Sequence, residues 1–193
     1  MEQLKRISAR SDVPPFMVMD VMAAAERIEA DGGHVIHMEV GQPAAPAPRA
    51  AIAAAHHALD GARIDYTSAL GILSLRERIA RHYLDTYGCT VDAGRVVVTT
   101  GSSGAFILAF LAMFEPGDRV AVTVPGYPPY RHILTALGCE PVLIETSHET
   151  RHALTGEDLL SAHRKKPLQG VLVASPANPT GTMVTPGELA AIA

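Results

Sequence analysis

Four short aliphatic runs, "RVVVTT" from Arg95, "RVAVTV" from Arg119, "PVLIE" from Pro141 and "GVLVA" from Gly170, do not alternate with polar residues. A strand apolar on every side chain must be buried on both faces, which is the signature of a mostly parallel sheet covered by helices. The sequence between the runs agrees. "AFILAFLAMF" reads as a buried helix, "YRHILTAL" as a helix closed by Gly138, and Thr155 with Asp158 as a capping box before "LLSAH". Thr185, Pro186 and Glu188 supply cap, first-turn proline and reciprocal acid for a last helix. The fold class is therefore α/β, with a mostly parallel central sheet and helices on both faces.

Upstream, "PPFMVMDVMAAAERIEADGG" predicts a helix ending at Gly32 and Gly33, and "HVIHMEV" (His34 to Val40) a short strand. "PRAAIAAAHHALDG" predicts a second helix, and "SLRERIARHYLDTYG" a third that packs through the face carrying Leu75, Ile79, Tyr83 and Tyr87.

Composition narrows the function classes. Of 193 residues, 48% are hydrophobic, with no tryptophan, so the chain can bury a real core. The net charge of −4 and the scattered Lys and Arg residues argue against nucleic acid. The apolar run Ala105 to Phe114 is shorter than the roughly 20 residues of a membrane span, and "MEQLKRISARSD" has no secretory pattern. Cys89 and Cys139 lack metal-site spacing, the nine histidines are scattered, and a reducing cytoplasm is expected.

Ligands of parallel sheets sit beyond the carboxyl ends of the strands. Three predicted ends carry unusual chemistry. In "TTGSSGAF", Gly101 and Gly104 turn the chain tightly, and Ser102 and Ser103 offer hydroxyl and N–H groups at a helix N-terminus, an anion cup. The same stretch approaches the GxSxG nucleophile elbow, with Ser103 as nucleophile and Ala105 for the last glycine, so a serine hydrolase stays open. In "VPGYPPY", Pro125 and Gly126 push Tyr127 out past a strand end. In "SPANPTG", Asn178 stands between Pro176 and Pro179, which restrict the backbone on both sides and aim its amide.

Taken in order, "MEVGQP", "DYTSALGILSLRERIA", "TTGSSGAF", "VPGYPPY" and "SPANPTG" resemble the landmarks of the class I and II aminotransferases, pyridoxal 5′-phosphate enzymes of fold type I. The resemblance runs from about Val13 to Ala193. It implies transfer of an amino group between an amino acid and a 2-oxo acid. It also implies that Asn178 bonds the phenolic oxygen of the cofactor, that Tyr127 stacks on its ring, and that Ser102 and Ser103 hold its phosphate. Gly41 would lie against the substrate carboxylate. Tyr66 would reach the phosphate of a neighbouring subunit, making the enzyme a homodimer. Residues 1–45 would be the arm and small-domain segment and 46–193 the start of the cofactor-binding large domain.

The Schiff-base lysine, the aspartate behind the pyridine nitrogen and the carboxylate-clamping arginine of that family have no counterpart here, so the chain reads as the first half of such an enzyme, with no catalytic residue of its own. Lys165 and Lys166 precede the last strand, on the far side of the sheet. A non-catalytic half-domain or binding module, with an open sheet edge and an uncovered apolar face, is the remaining alternative.

Overall fold

Helices in this chain start and stop where proline and glycine punctuate it. The computed structural model describes residues 7–61 and 65–193. The first six residues of "MEQLKRISARSD", read above for a leader, lie outside the described residues. Met17–Thr100 form one unit, and Gly101–Ala193 with the described residues before Met17 form another.

In the Met17–Thr100 unit, α1 (Met17–Ala30) closes on Gly32 and Gly33, whose N–H groups return to Glu29 O and Ile28 O, both at 2.9 Å. α2 (Arg49–Gly61) begins after Pro48, whose carbonyl accepts from Ala51 and Ile52. α3 (Leu73–Tyr87) ends at Gly88, left-handed at φ 68°, a conformation that costs a side-chain-bearing residue stability.

Two expected strands do not form in this unit. His34 to Val40 makes no ladder, and Ala93–Arg95 is a 3-10 turn followed by extended chain. A strand exists only where a neighbour takes its backbone groups, and local pattern cannot supply the neighbour. Other contacts hold these segments. His37 reaches Glu29 and Glu39. Buried Arg76 of α3 donates from Nε to Val96 O (2.9 Å) and from Nη2 to Ala93 O (2.7 Å). Val98 N–H donates to Leu70 O. The apolar face of α3 is packed only in part: Ile79 is half-buried, but Leu75, Tyr83, Leu84 and Tyr87 are exposed.

The second unit alternates helix and strand: α4 (Gly101–Met113), β1 (Arg119–Val124), α5 (Pro129–Ala136), β2 (Glu140–Glu145), α6 (Gly156–Lys165), β3 (Gly170–Val171) and α7 (Pro186–Ile192). The three strands are parallel in the order β2–β1–β3, with Arg119 opposite Glu140 and Ala121 opposite Val171. β3 is shorter than the five-residue run suggests. Leu172 N–H still bonds Ala121 O, but the chain then turns into a proline-bearing loop that offers no ladder donor at Pro176.

Alternate residues of β1 feed two cores, one on each face. Val120 and Val122 pack with Phe110 of α4 and with Leu134 and Cys139. Ala121 packs with Ile144 and Leu154, flanked by Leu159 and Ala162 of α6 and Ile192 of α7. Helices thus cover both faces, as the aliphatic strands require. α4 departs from expectation: only Phe110 is buried, and Ile107, Leu108, Leu111 and Met113 are exposed. It is apolar all round, but the sheet can cover only one side of a helix.

Both capping boxes are present, Thr155 with Asp158 and Thr185 with Glu188. At the amino ends of β1 and β2, Arg119 Nε and Lys166 Nζ each bond a different oxygen of Glu140 at 2.9 Å, holding its carboxyl below the usual range. Lys166 is therefore at the opposite end of the sheet from the strand carboxyl ends.

Candidate active site

The carboxyl ends of β1 and β3 are neighbours because the strands are parallel and adjacent. α4 runs back against them. Phe114, just past its last residue, sits against the start of β3, where a Cβ on Gly170 would lie 2.5 Å from the ring. The N-terminus of α4 therefore points to the strand carboxyl ends. Ser102 and Ser103 occupy its first turn, exposed, with no acidic residue there to offset the positive end of the helix.

Beyond β1 the chain makes a tight turn in which a Cβ at Gly126 would meet Thr123 O at 2.3 Å, so only glycine fits. Tyr127 follows, half-buried, with its ring edge-on to Tyr130 (centroids 5.2 Å apart) and to Phe16 (6.2 Å). Tyr130 in turn packs edge-on to Phe106 of α4 at 4.9 Å. Phe106 lies four residues after Ser102, on the same side of α4, so aromatic contacts link the serine turn to Tyr127. Burial, and secondarily Tyr127, raise the Tyr130 phenol above its ordinary range. A cavity of about 220 Å³ opens beside Tyr127 and Tyr130, against Pro125, Arg131 and Leu143.

The loop after β3 is closed on itself. Ala177 N–H donates to Thr182 O (2.8 Å), Gly181 N–H to Ala177 O (2.7 Å) and Val184 N–H to Ser175 Oγ (3.0 Å). The peptide bonds before Pro176 and Pro179 are cis. Asn178 stands at the exposed turn of this loop, and its side-chain amide makes no hydrogen bond among the described residues. The prolines and the bonds at Ala177 fix the backbone while the amide stays available to a ligand.

Ser102, Ser103, Tyr127 and Asn178 thus stand at the carboxyl end of one sheet. Gly41 and Tyr66 belong to the other unit. Gly41 has nothing within 4 Å of where a Cβ would be, and Tyr66 is fully exposed. Sequence reasoning passed over Phe16, whose ring meets Tyr127, and Thr182, whose hydroxyl donates to Arg151 O at 2.5 Å. A threonine beside a double-proline turn was the available signal for the second. Ser103 makes no hydrogen bond to a histidine or carboxylate among the described residues, the pairing a serine nucleophile needs.

A parallel sheet whose strand ends carry a serine-rich helix tip, a tyrosine and a proline-braced asparagine has a match among known families. The family model for aminotransferase class I and II matches residues 33–193, and the chain belongs to that family. It is 52% identical over 97% of its length to a valine–pyruvate aminotransferase of Mycobacterium tuberculosis, covering 48% of that protein. The solved structure of an aminotransferase from Mycobacterium tuberculosis superposes with a TM-score of 0.91 at 52% identity, over 97% of this chain and 48% of that one. Aspartate aminotransferase from Thermus thermophilus, solved with maleate, gives 0.89 at 27% identity, over 98% of this chain and 50% of that one. The chain spans about half the length of these relatives. Among the described residues, no helix is long and apolar enough to cross a membrane.

Proposed function

We propose that this chain contributes the cofactor-binding part of a pyridoxal 5′-phosphate-dependent aminotransferase, exchanging an amino group between an amino acid and a 2-oxo acid. The observation that carries the reading is Asn178, the sole asparagine of the sequence, braced by its loop at a strand end, with its amide making no hydrogen bond among the described residues. A carboxamide donor suits a phenolic oxygen, a helix N-terminus with two exposed hydroxyls suits a phosphate, and a half-buried tyrosine ring suits the face of a pyridine. When bound, the cofactor supplies an electron sink for bond breaking at the substrate α-carbon.

In this reading Asn178 donates to the phenolic oxygen and holds negative charge there. Ser102 and Ser103 hold the phosphate through hydroxyl and N–H groups. Tyr127 sets the tilt of the ring. Gly41 leaves room for the substrate carboxylate. Tyr66, fully exposed, reaches the phosphate of a second subunit in a homodimer. The reading assigns residues 1–45 to the arm and small domain and 46–193 to the large domain. Lys166, at the amino end of the sheet, is no candidate to carry the cofactor.

The test is an absorbance titration of the chain with pyridoxal phosphate, with inorganic phosphate as competitor. Saturable binding is expected, weakened on the order of tenfold by Asn178→Ala and made insensitive to phosphate by Ser102→Ala with Ser103→Ala. No saturable binding by the wild-type chain sinks the reading. In a chain of the relatives' full length, borohydride should fix the cofactor to a lysine. Valine with pyruvate is the first substrate pair to try, from the name of the Mycobacterium tuberculosis relative.

A further inference from the structure

Thr182 bonds inside the Asn178 loop through its backbone and to another part of the fold through its side chain. Its carbonyl accepts from Ala177 N–H at 2.8 Å, directly beside Asn178, and its hydroxyl donates to Arg151 O at 2.5 Å, 31 residues away in sequence. The receiving segment is unusual. Arg151 (φ 55°) and His152 (φ 58°) are consecutive left-handed residues, and they are the non-glycine residues with positive φ among those described. Residues with a Cβ disfavour that region, so the surrounding contacts must hold them there.

Those contacts are present. Arg151 N–H bonds His148 O (2.9 Å), His152 N–H bonds Ser147 O (2.7 Å), and His152 Nδ1 lies 3.2 Å from Thr146 O. Ala153 and Leu154, which follow, are almost wholly buried, and Leu154 belongs to the core under β1. Arg151 Nη2 also lies 3.6 Å from Glu188 Oε1, and Glu188 is the capping acid of α7, the helix that follows the loop. A core-anchored turn thus presents one carbonyl to one hydroxyl.

We infer that Thr182 is a positioning residue for Asn178, and that the left-handed Arg151–His152 turn is its fixed anchor. The inference rests on the reading of Asn178 as the donor to the cofactor's phenolic oxygen for its consequence, but not for its test. Without the bond to Arg151 O, Ala177 is braced only within its own loop, and the backbone that carries the Asn178 amide samples more directions.

Because Asn178 is the only asparagine, labelling with ¹⁵N-asparagine gives a single backbone amide signal. In the wild-type chain its relaxation should report a restricted amide. Thr182→Val keeps the shape and removes the hydroxyl; the Asn178 backbone amide should become mobile and move toward the random-coil shift, while Thr182→Ser stays like wild type. Pyridoxal phosphate binding should weaken roughly five- to tenfold in Thr182→Val and not in Thr182→Ser. An amide equally restricted in Thr182→Val overturns the inference, whatever the binding result. A mobile amide in Thr182→Val with no binding to any variant upholds the inference and fails the cofactor reading. Hydrogen exchange on the wild-type chain covers the case in which Thr182→Val does not fold. Ala177 and Gly181 amides should be protected like those of β1, and exchange as fast as an unbonded loop overturns the inference.

Discussion

His37 Nδ1 lies 2.7 Å from Glu39 Oε1 while its Nε2 lies 3.1 Å from Glu29 Oε1 on α1. An ionised carboxylate only accepts, so both ring nitrogens must donate and the ring carries a positive charge. Glu39, then Glu29, raise the His37 pKa above its usual value, and the same contact lowers that of Glu39. The folded state therefore binds the His37 proton more tightly than the unfolded chain does. The clamp's stability is fully present below the unfolded value, about 6.5, and is lost as pH rises through the raised folded one. Urea melts of wild type and His37→Ala across pH 5.5 to 9 should converge at the alkaline end; parallel curves would show that the clamp contributes nothing.

Arg76→Met should destabilise the Met17–Thr100 unit by about 2–3 kcal/mol, since it leaves the carbonyls of Ala93 and Val96 without their charged donor. Denaturant unfolding followed by helix content checks this. A change near zero would mean that water replaces the guanidinium at no cost.

Leu134 is fully buried between α5 and the sheet, whereas Leu108 and Leu111 of α4 face solvent. Leu134→Ala should cost about 2–5 kcal/mol. Leu108→Lys with Leu111→Lys should leave unfolding of the sheet unit nearly unchanged and reduce self-association of the chain. Sedimentation velocity decides the second point, and an unaltered size distribution would show that another surface drives association.

Glu140 has a lowered pKa through its bonds first to Arg119 and then to Lys166. The unfolded chain binds that proton more readily. The contribution is therefore present above the unfolded carboxylate value, about 4.3, and lost as pH falls through the lower folded one. Glu140→Gln should flatten the acid limb of the stability profile relative to wild type, as read by fluorescence-independent circular dichroism melts between pH 3 and 6.

Much of the sheet unit was legible because its signals are local. Thr155 with Asp158 and Thr185 with Glu188 act within four residues, and "RVAVTV" is a strand from Arg119 to Val124. "HVIHMEV" and "RVVVTT" carry equally good strand chemistry but no ladder, because pairing depends on a partner that lies elsewhere in the chain. The apolar faces of α3 and α4 were read correctly as apolar but are covered only in part, at Ile79 on α3 and at Phe106 and Phe110 on α4, for the same reason. At the site, Ser102, Ser103, Tyr127 and Asn178 could be singled out from turn residues at strand ends. Thr182 was marked only as a threonine beside a double-proline turn, because the carbonyl it bonds is set by a turn at Arg151 whose backbone shape no local pattern announces.

The crowding at Gly126 limits how this rim can be altered. A methyl there would collide with the Thr123 carbonyl, so a library randomised across 125–128 should return glycine at that one place in every folded survivor. Diversity would be confined to its neighbours, and the direction of the Tyr127 ring is then tuned only from the residues it leans on, Phe16 and Tyr130.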